Sequence, residues 1–254
     1  MAKRVDLNGV DTWYDERGTG EPLVLLHGGL VGANAFEAMA PHLEDRFRLY
    51  VPERRGHGHT PDQPGPITFD LMADDTITFI ETVVGGPVFL AGHSDGGILT
   101  LLIAQRRPDL VRKAVPISAS MHHDVVLGLS DMSVENVVEW MGDDYAATSP
   151  DGRDHLPKFA AKVLRMWREE PELHPSDLTD ISVPTLIMAA DDDAITFEHT
   201  TGLFEAIPGA QLAIVPGTSH ALIDEKPALV AQLLADFLTN DPIETRIPVR
   251  RRKD

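Results

Sequence analysis

The sequence predicts an α/β fold in which helices cover both faces of a mostly parallel sheet. Short apolar runs, typical of strands buried on both faces, alternate with segments of helical periodicity along most of the 254 residues. One of these runs leads through the glycine-flanked Ser94 directly into an apolar helix. The alternation is lost over residues 121–182, which are too long for a simple connection and are predicted to form an inserted helical lid.

The first half of the chain is predicted to begin with an antiparallel pair of strands. Asn8 and Gly9 favour a tight turn between strands at residues 5–7 and 11–14. We predict further strands at residues 22–26, 48–51 and 87–91, and helices at residues 33–43, 69–83 and 98–103. Either Thr68 or Asp70 is placed to cap the second of these helices.

The second half shows the same pattern on both sides of the predicted lid. We predict strands at residues 113–118, 185–190 and 211–215, core helices at 197–206 and 227–238, and lid helices at 134–141 and 156–169. Residues 1–120 and 183–240 are therefore assigned to the α/β core domain, outside the predicted lid. Residues 241–254, which include a basic run at 250–253, are assigned to a flexible tail.

The composition narrows the class of partner. A net charge of −18 argues against binding to nucleic acid or to an anionic membrane surface. The chain has no cysteine, which excludes disulfides, thiol catalysis and cysteine-ligated zinc. No apolar run approaches membrane-spanning length, so we expect a cytoplasmic protein that acts on a small molecule. The oligomeric state is left open.

Residues able to do chemistry follow the predicted strands. Right-handed crossovers place the loops after parallel strands at one edge of the sheet, where sites form in such folds. We therefore expect residues that are distant in sequence to lie close together. They are His27 to Gly29, residues 53–55, Ser94, Ser118, residues 191–193 and His220.

Ser94 has the sequence surroundings of a nucleophile. Residues 92–96 match the pattern G-x-S-x-G, whose glycines permit a strained turn from strand to helix. A serine hydroxyl also needs a base within hydrogen-bond reach and an acid that orients the base. His220, after the last predicted strand, is the candidate base. The candidate acid is one of three aspartates after the preceding strand, Asp191, Asp192 and Asp193.

These motifs resemble those of the α/β-hydrolase family, of the serine esterase type. They occur in the family's order and comprise His27-Gly28, Arg55-Gly56-His57-Gly58, the Ser94 turn, the segment 184–193 and His220. The resemblance covers the chain outside the lid and the tail, and it implies the α/β-hydrolase fold. Glu53 stands where the family usually has aspartate. A serine nucleophile sets aside haloalkane dehalogenases and epoxide hydrolases, which use aspartate.

The resemblance also implies roles for individual residues. In the segment 184–193 it implies Asp193 as the acid, with Asp191 as the runner-up because Ala190 replaces the family's usual glycine. It further implies that the backbone N–H groups of Gly29 and Asp95 form the oxyanion hole. The turn is similar to that of the valacyclovir hydrolase (biphenyl hydrolase-like) group, in which the residue matching Asp95 pairs with a substrate amine. We favour the alternative that Asp95 stabilises the helix N-terminus.

We predict a serine hydrolase that cleaves a carboxylic ester or lactone through an acyl-enzyme at Ser94, with no cofactor. His122, His123 and Trp140 of the predicted lid are candidates to line the substrate pocket. No metal site is predicted, because adjacent histidines are not spaced to face one ion as an i, i+4 pair is. The alternatives are a cofactor-free peroxidase, a C–C bond hydrolase on the same triad, or a non-catalytic ligand-binding protein.

Overall fold

An eight-stranded sheet organises the protein, whose computed structural model describes residues 2–247. The strands are β1 (Ala2–Leu7), β2 (Val10–Arg17), β3 (Glu21–Leu26), β4 (Phe47–Pro52), β5 (Val88–His93), β6 (Val111–Ile117), β7 (Leu186–Asp192) and β8 (Gln211–Ser219). Their order across the sheet is β1-β2-β4-β3-β5-β6-β7-β8. β2 is antiparallel to β1 and β4, and the remaining neighbours are parallel. The predicted fold class is confirmed.

Helices cover both faces of this sheet. The helices of the described residues are α1 (Phe69–Phe79), α2 (Asp95–Arg106), α3 (Val134–Thr148), α4 (Leu156–Glu169), α5 (Phe197–Ala206), the short α6 (Leu222–Glu225) and α7 (Pro227–Thr239). Of these, α3 and α4 pack against each other in the segment between β6 and β7 and not on a face of the sheet. Alternate residues of β3 enter different hydrophobic clusters. Val24 and Leu26 pack in the cluster that contains residues of α1 and α2, while Leu23 and Leu25 pack with residues of α7. A strand buried on both faces therefore needs the continuous apolar run seen in the sequence.

The first connections differ in one respect from the prediction. The turn between β1 and β2 is at Asn8 and Gly9, which both have positive φ as the tight hairpin requires. The helix predicted at residues 33–43 is instead two short 3₁₀ turns, Ala33–Phe36 and Ala40–His42. Pro41 explains the difference, because it has no backbone N–H to donate and its ring clashes with a helical carbonyl.

The helix predicted at residues 69–83 ends earlier as a regular α-helix. Thr68 caps α1 by accepting a hydrogen bond from the Leu71 N–H at 3.1 Å. After Phe79 the chain makes a π turn, Ile80–Val84, which ends at Gly85 in the left-handed conformation. None of the helices in residues 2–247 is both long and apolar enough to span a membrane. The basic run at 250–253 of the predicted tail lies outside the described residues.

Candidate active site

The turn from β5 into α2 holds Ser94 at the carboxyl edge of the sheet. Its backbone has φ 55° and ψ −117°. Residues other than glycine rarely adopt this conformation, so the surrounding structure must enforce it. The flanking glycines are required sterically. A Cβ on Gly92 would lie 2.0 Å from the carbonyl oxygen of Gly96, and a Cβ on Gly96 would lie 2.0 Å from that of Leu26. Ser94 therefore lies at the N-terminus of α2, where the helix dipole favours negative charge.

His220, which follows β8, lies between the side chains of Ser94 and Asp193. Its Nε2 is 3.0 Å from the Ser94 hydroxyl, and its Nδ1 is 2.7 Å from Oδ1 of Asp193. Because a carboxylate there accepts from Nδ1–H, the Nε2 lone pair is free to accept the serine proton. Asp191 is engaged elsewhere, since it accepts a hydrogen bond from the Thr218 backbone N–H at 3.0 Å. The geometry thus brings together Ser94, His220 and Asp193.

The Asp193 carboxylate is fixed by donors from several parts of the chain. Besides His220, it accepts from the Ser118 hydroxyl and from the backbone N–H groups of Ala190 and Ile195, at 3.1 and 3.2 Å. Burial alone would raise the pKa of Asp193, but the hydrogen bonds from His220 and Ser118 outweigh that effect and lower this pKa to about 2. The carboxylate is therefore ionised at neutral pH.

His93, the residue before the serine, supports the loop that carries His220. The Nε2–H of His93 donates to the carbonyl oxygen of His220 at 2.7 Å, and the two rings lie 5.0 Å apart. Burial, with a smaller effect of His220, lowers the pKa of His93 to about 4, so this ring is neutral at pH 7. Nothing in the sequence signals this contact, because it joins residues 127 positions apart.

Two backbone N–H groups beside Ser94 have no acceptor among the described residues. Gly29 and Asp95 both line the same cavity as Ser94, and neither N–H donates to another group within residues 2–247. Only glycine fits at position 29, because a Cβ there would lie 2.3 Å from the Trp167 ring. Enzymes that stabilise an oxyanion place free donors beside the attacking group, and these two N–H groups have that arrangement beside the Ser94 hydroxyl.

The Asp95 carboxyl group is buried against the insertion, which is the helical segment between β6 and β7 (residues 118–185). Its Oδ1 accepts from the Trp167 indole N–H at 2.9 Å. Its Oδ2 lies 3.9 Å from the Arg54 guanidinium and has no hydrogen-bond partner among the described residues. Burial raises the pKa of Asp95, although Arg54 and Trp167 oppose that shift. With 3% of the residue exposed, Asp95 links the serine turn to α4 and offers little surface to a ligand.

A cavity of about 620 Å³ has Ser94 and His220 in its wall. Trp140, from the insertion, also lines it, as the sequence predicts. His122 and His123 do not line it, so that expectation is wrong. Their rings instead stack on each other, with centroids 4.4 Å apart, where the insertion leaves the core.

Among the described residues that line this cavity there are carboxyl groups but no lysine or arginine. The acidic residues are Asp95, Glu170 and Asp224. Burial raises the pKa of both Glu170 and Asp224. A negatively charged part of a substrate would therefore find no cationic partner here. Within residues 2–247, the three side chains close enough to share a metal ion lie outside this wall and are His122, His123 and Glu172.

Known proteins of one family resemble this chain over most of its length. The model of the alpha/beta hydrolase family matches residues 23–233. The 2-(acetamidomethylene)succinate hydrolase of Mesorhizobium japonicum is 23% identical and covers 94% of this chain and 95% of its own. The serine hydrolase BPHL of Mus musculus is 28% identical, over 92% of this chain and 85% of its own.

Solved structures show the same architecture. The enol-lactonase from Burkholderia xenovorans superimposes with a TM-score of 0.77 at 20% identity, covering 94% of this chain and 100% of the other. The family match extends from β3, across the serine turn and His220, into α7. The chain therefore belongs to the alpha/beta hydrolase family.

Proposed function

We propose that the protein hydrolyses a carboxylic ester or lactone through an acyl-enzyme at Ser94. The observation that carries the proposal is the hydrogen-bonded series from Ser94 through His220 to Asp193, of which Ser94 and His220 line the cavity. Ser94 Oγ attacks the carbonyl carbon while its proton passes to Nε2 of His220. The alcohol then leaves with that proton. Water next attacks the acyl carbon while His220 takes its proton, and the proton passes to Ser94 Oγ as the bond to the serine breaks and the carboxylic acid is released.

The charge that develops during attack falls on the carbonyl oxygen. The N–H groups of Gly29 and Asp95 are the donors proposed to receive it. Because they are backbone groups already in place, they need no rearrangement as the charge forms, and one such donor lowers the barrier by roughly 3–4 kcal/mol. Asp193 remains ionised and stabilises the imidazolium of His220.

The charges of the cavity indicate the substrate class. The M. japonicum relative is named for a substrate that carries two carboxylates, whereas the wall here lacks lysine and arginine among the described residues. Burying a carboxylate without a cationic partner is costly. We therefore propose an uncharged ester or lactone as the substrate.

Matched esters test this substrate class. We expect p-nitrophenyl butyrate to exceed p-nitrophenyl hemisuccinate in kcat/KM by about tenfold or more, because the hemisuccinate places a carboxylate in a cavity with no cation. The two esters share a four-carbon acyl chain and a leaving group, so their ratio isolates the charge. Equal or faster hydrolysis of the hemisuccinate would contradict the proposed class while leaving the serine mechanism intact.

Selection of amines by Asp95 is open to a similar test. For each protein, the quantity to measure is kcat/KM for a valine ester divided by kcat/KM for the matching 3-methylbutyrate ester, which lacks the amine. We expect this ratio to differ by no more than about twofold between the wild type and Asp95→Asn, because Trp167 covers the carboxyl group. Asparagine keeps an acceptor for the indole N–H and removes only the charge. A wild-type preference for the amine that disappears in Asp95→Asn would instead establish amine recognition.

A further inference from the structure

Two segments of the helical insertion pair with each other, and we call them the stems: residues 121–123 and 171–173. Two backbone hydrogen bonds connect them. The His123 N–H donates to the Pro171 carbonyl at 2.9 Å, and the Leu173 N–H donates to the Met121 carbonyl at 2.8 Å. The stems therefore lie side by side and antiparallel, so side chains from both can approach one point.

Adjacent histidines on the first stem are stacked instead of facing opposite ways. His122 is extended, with φ −142° and ψ 142°, and the 3₁₀ turn His123–Val125 begins at the next residue. In an extended strand, successive side chains point to opposite faces. Because the chain turns at His123, the side chains of His122 and His123 are not separated in this way. The rings stack with 26° between their planes. Across the stems, His122 forms an antiparallel bridge with Glu172.

We propose that His122, His123 and Glu172 bind a divalent transition metal, for which Zn²⁺ is the best match. One ligand atom from each residue lies within 4.8 Å of the other two. Glu172 is exposed, so its side chain is free to shorten these distances toward those of a bound ion. Two imidazoles and one carboxylate are a zinc donor set that leaves a fourth position for water. Mg²⁺ and Ca²⁺ prefer oxygen donors alone and fit this set less well.

Asp124 supplies a carboxylate next to this group. Its Oδ1 lies 2.9 Å from Nδ1 of His123. The negative charge of this carboxylate, so close to the group, favours a dication. Because the three ligands come from both stems, the ion joins the two stems. The site lies outside the cavity wall that contains Ser94, so it is independent of the proposed hydrolase function.

Isothermal titration of the full-length protein with ZnCl₂ tests the site. We expect saturable binding of one equivalent, weakened at least tenfold in His123→Ala and in Glu172→Gln. Glu172→Gln is the safer variant for folding, because the side chain is exposed. His42→Ala, at an exposed histidine outside the group, is the matched control and is expected to bind within twofold of the wild type.

Co²⁺ provides a second measurement on the same variants. A cobalt ion held by two imidazoles and a carboxylate acquires visible absorption bands, which we expect in the wild type and in His42→Ala but not in His123→Ala. The proposal is overturned if no one-equivalent binding of Zn²⁺ is measured. It is also overturned if His123→Ala and Glu172→Gln, both folded, bind as tightly as the wild type.

Discussion

Replacing Ser94 by alanine is expected to lower kcat for ester hydrolysis by about 10⁴-fold or more, because no other group takes the role of the covalent nucleophile. The protein should remain folded, since the strained turn depends on Gly92 and Gly96 and not on the serine hydroxyl. Steady-state kinetics with p-nitrophenyl butyrate measure the loss, and circular dichroism checks the fold.

Ser120 provides the matched control for this change. It is buried and lines the same cavity, but no hydrogen bond joins it to His220 within the described residues. Ser120→Ala should therefore keep kcat within several-fold of the wild type. Undiminished turnover in a folded Ser94→Ala protein would contradict the mechanism.

Replacing Asp193 by asparagine is expected to lower kcat by about 10⁴-fold, because an amide at this position favours the wrong tautomer of His220. The change alters the 2.7 Å hydrogen bond between Oδ1 of Asp193 and Nδ1 of His220. Asparagine is close in size to aspartate, so the loss would reflect charge and tautomer and not a cavity. Kinetics at saturating ester separate this effect on kcat from an effect on binding.

The two neighbouring aspartates serve as controls for this second change. Asp191→Asn should have a small effect, because Asp191 accepts from the Thr218 N–H and not from His220. Asp192→Asn should likewise be nearly silent, because its side chain is exposed. A large loss in Asp191→Asn with little loss in Asp193→Asn would assign the acid to the other carboxylate.

The sheet and the serine turn were accessible from the sequence because their determinants are local. Apolar runs reveal buried strands, and G-x-S-x-G records a steric requirement, since a Cβ at Gly92 or Gly96 would collide with backbone. His220 follows from its place after the last strand. Choosing Asp193 over Asp191 needed the resemblance of residues 184–193 to a family segment, because the local pattern allows either.

The contacts around the site were not accessible because they join distant residues. No pattern near His93 indicates its bond to the His220 carbonyl, and none near Trp167 indicates its bond to Asp95. The stacking of His122 and His123 depends on a change of backbone conformation that residue spacing does not reveal. The single helix predicted at residues 33–43 was wrong, because the prediction followed the helical periodicity and gave too little weight to Pro41, which interrupts a helix.

The most direct test of the central claim is to identify the residue that a fluorophosphonate probe modifies. We expect one covalent adduct per chain, located on Ser94 by peptide mass spectrometry, because His220 at 3.0 Å activates that hydroxyl. The adduct should be absent in Ser94→Ala, present in Ser120→Ala and formed more slowly in Asp193→Asn. An adduct on another residue, or no adduct in the folded wild type, would contradict a serine hydrolase with Ser94 as its nucleophile.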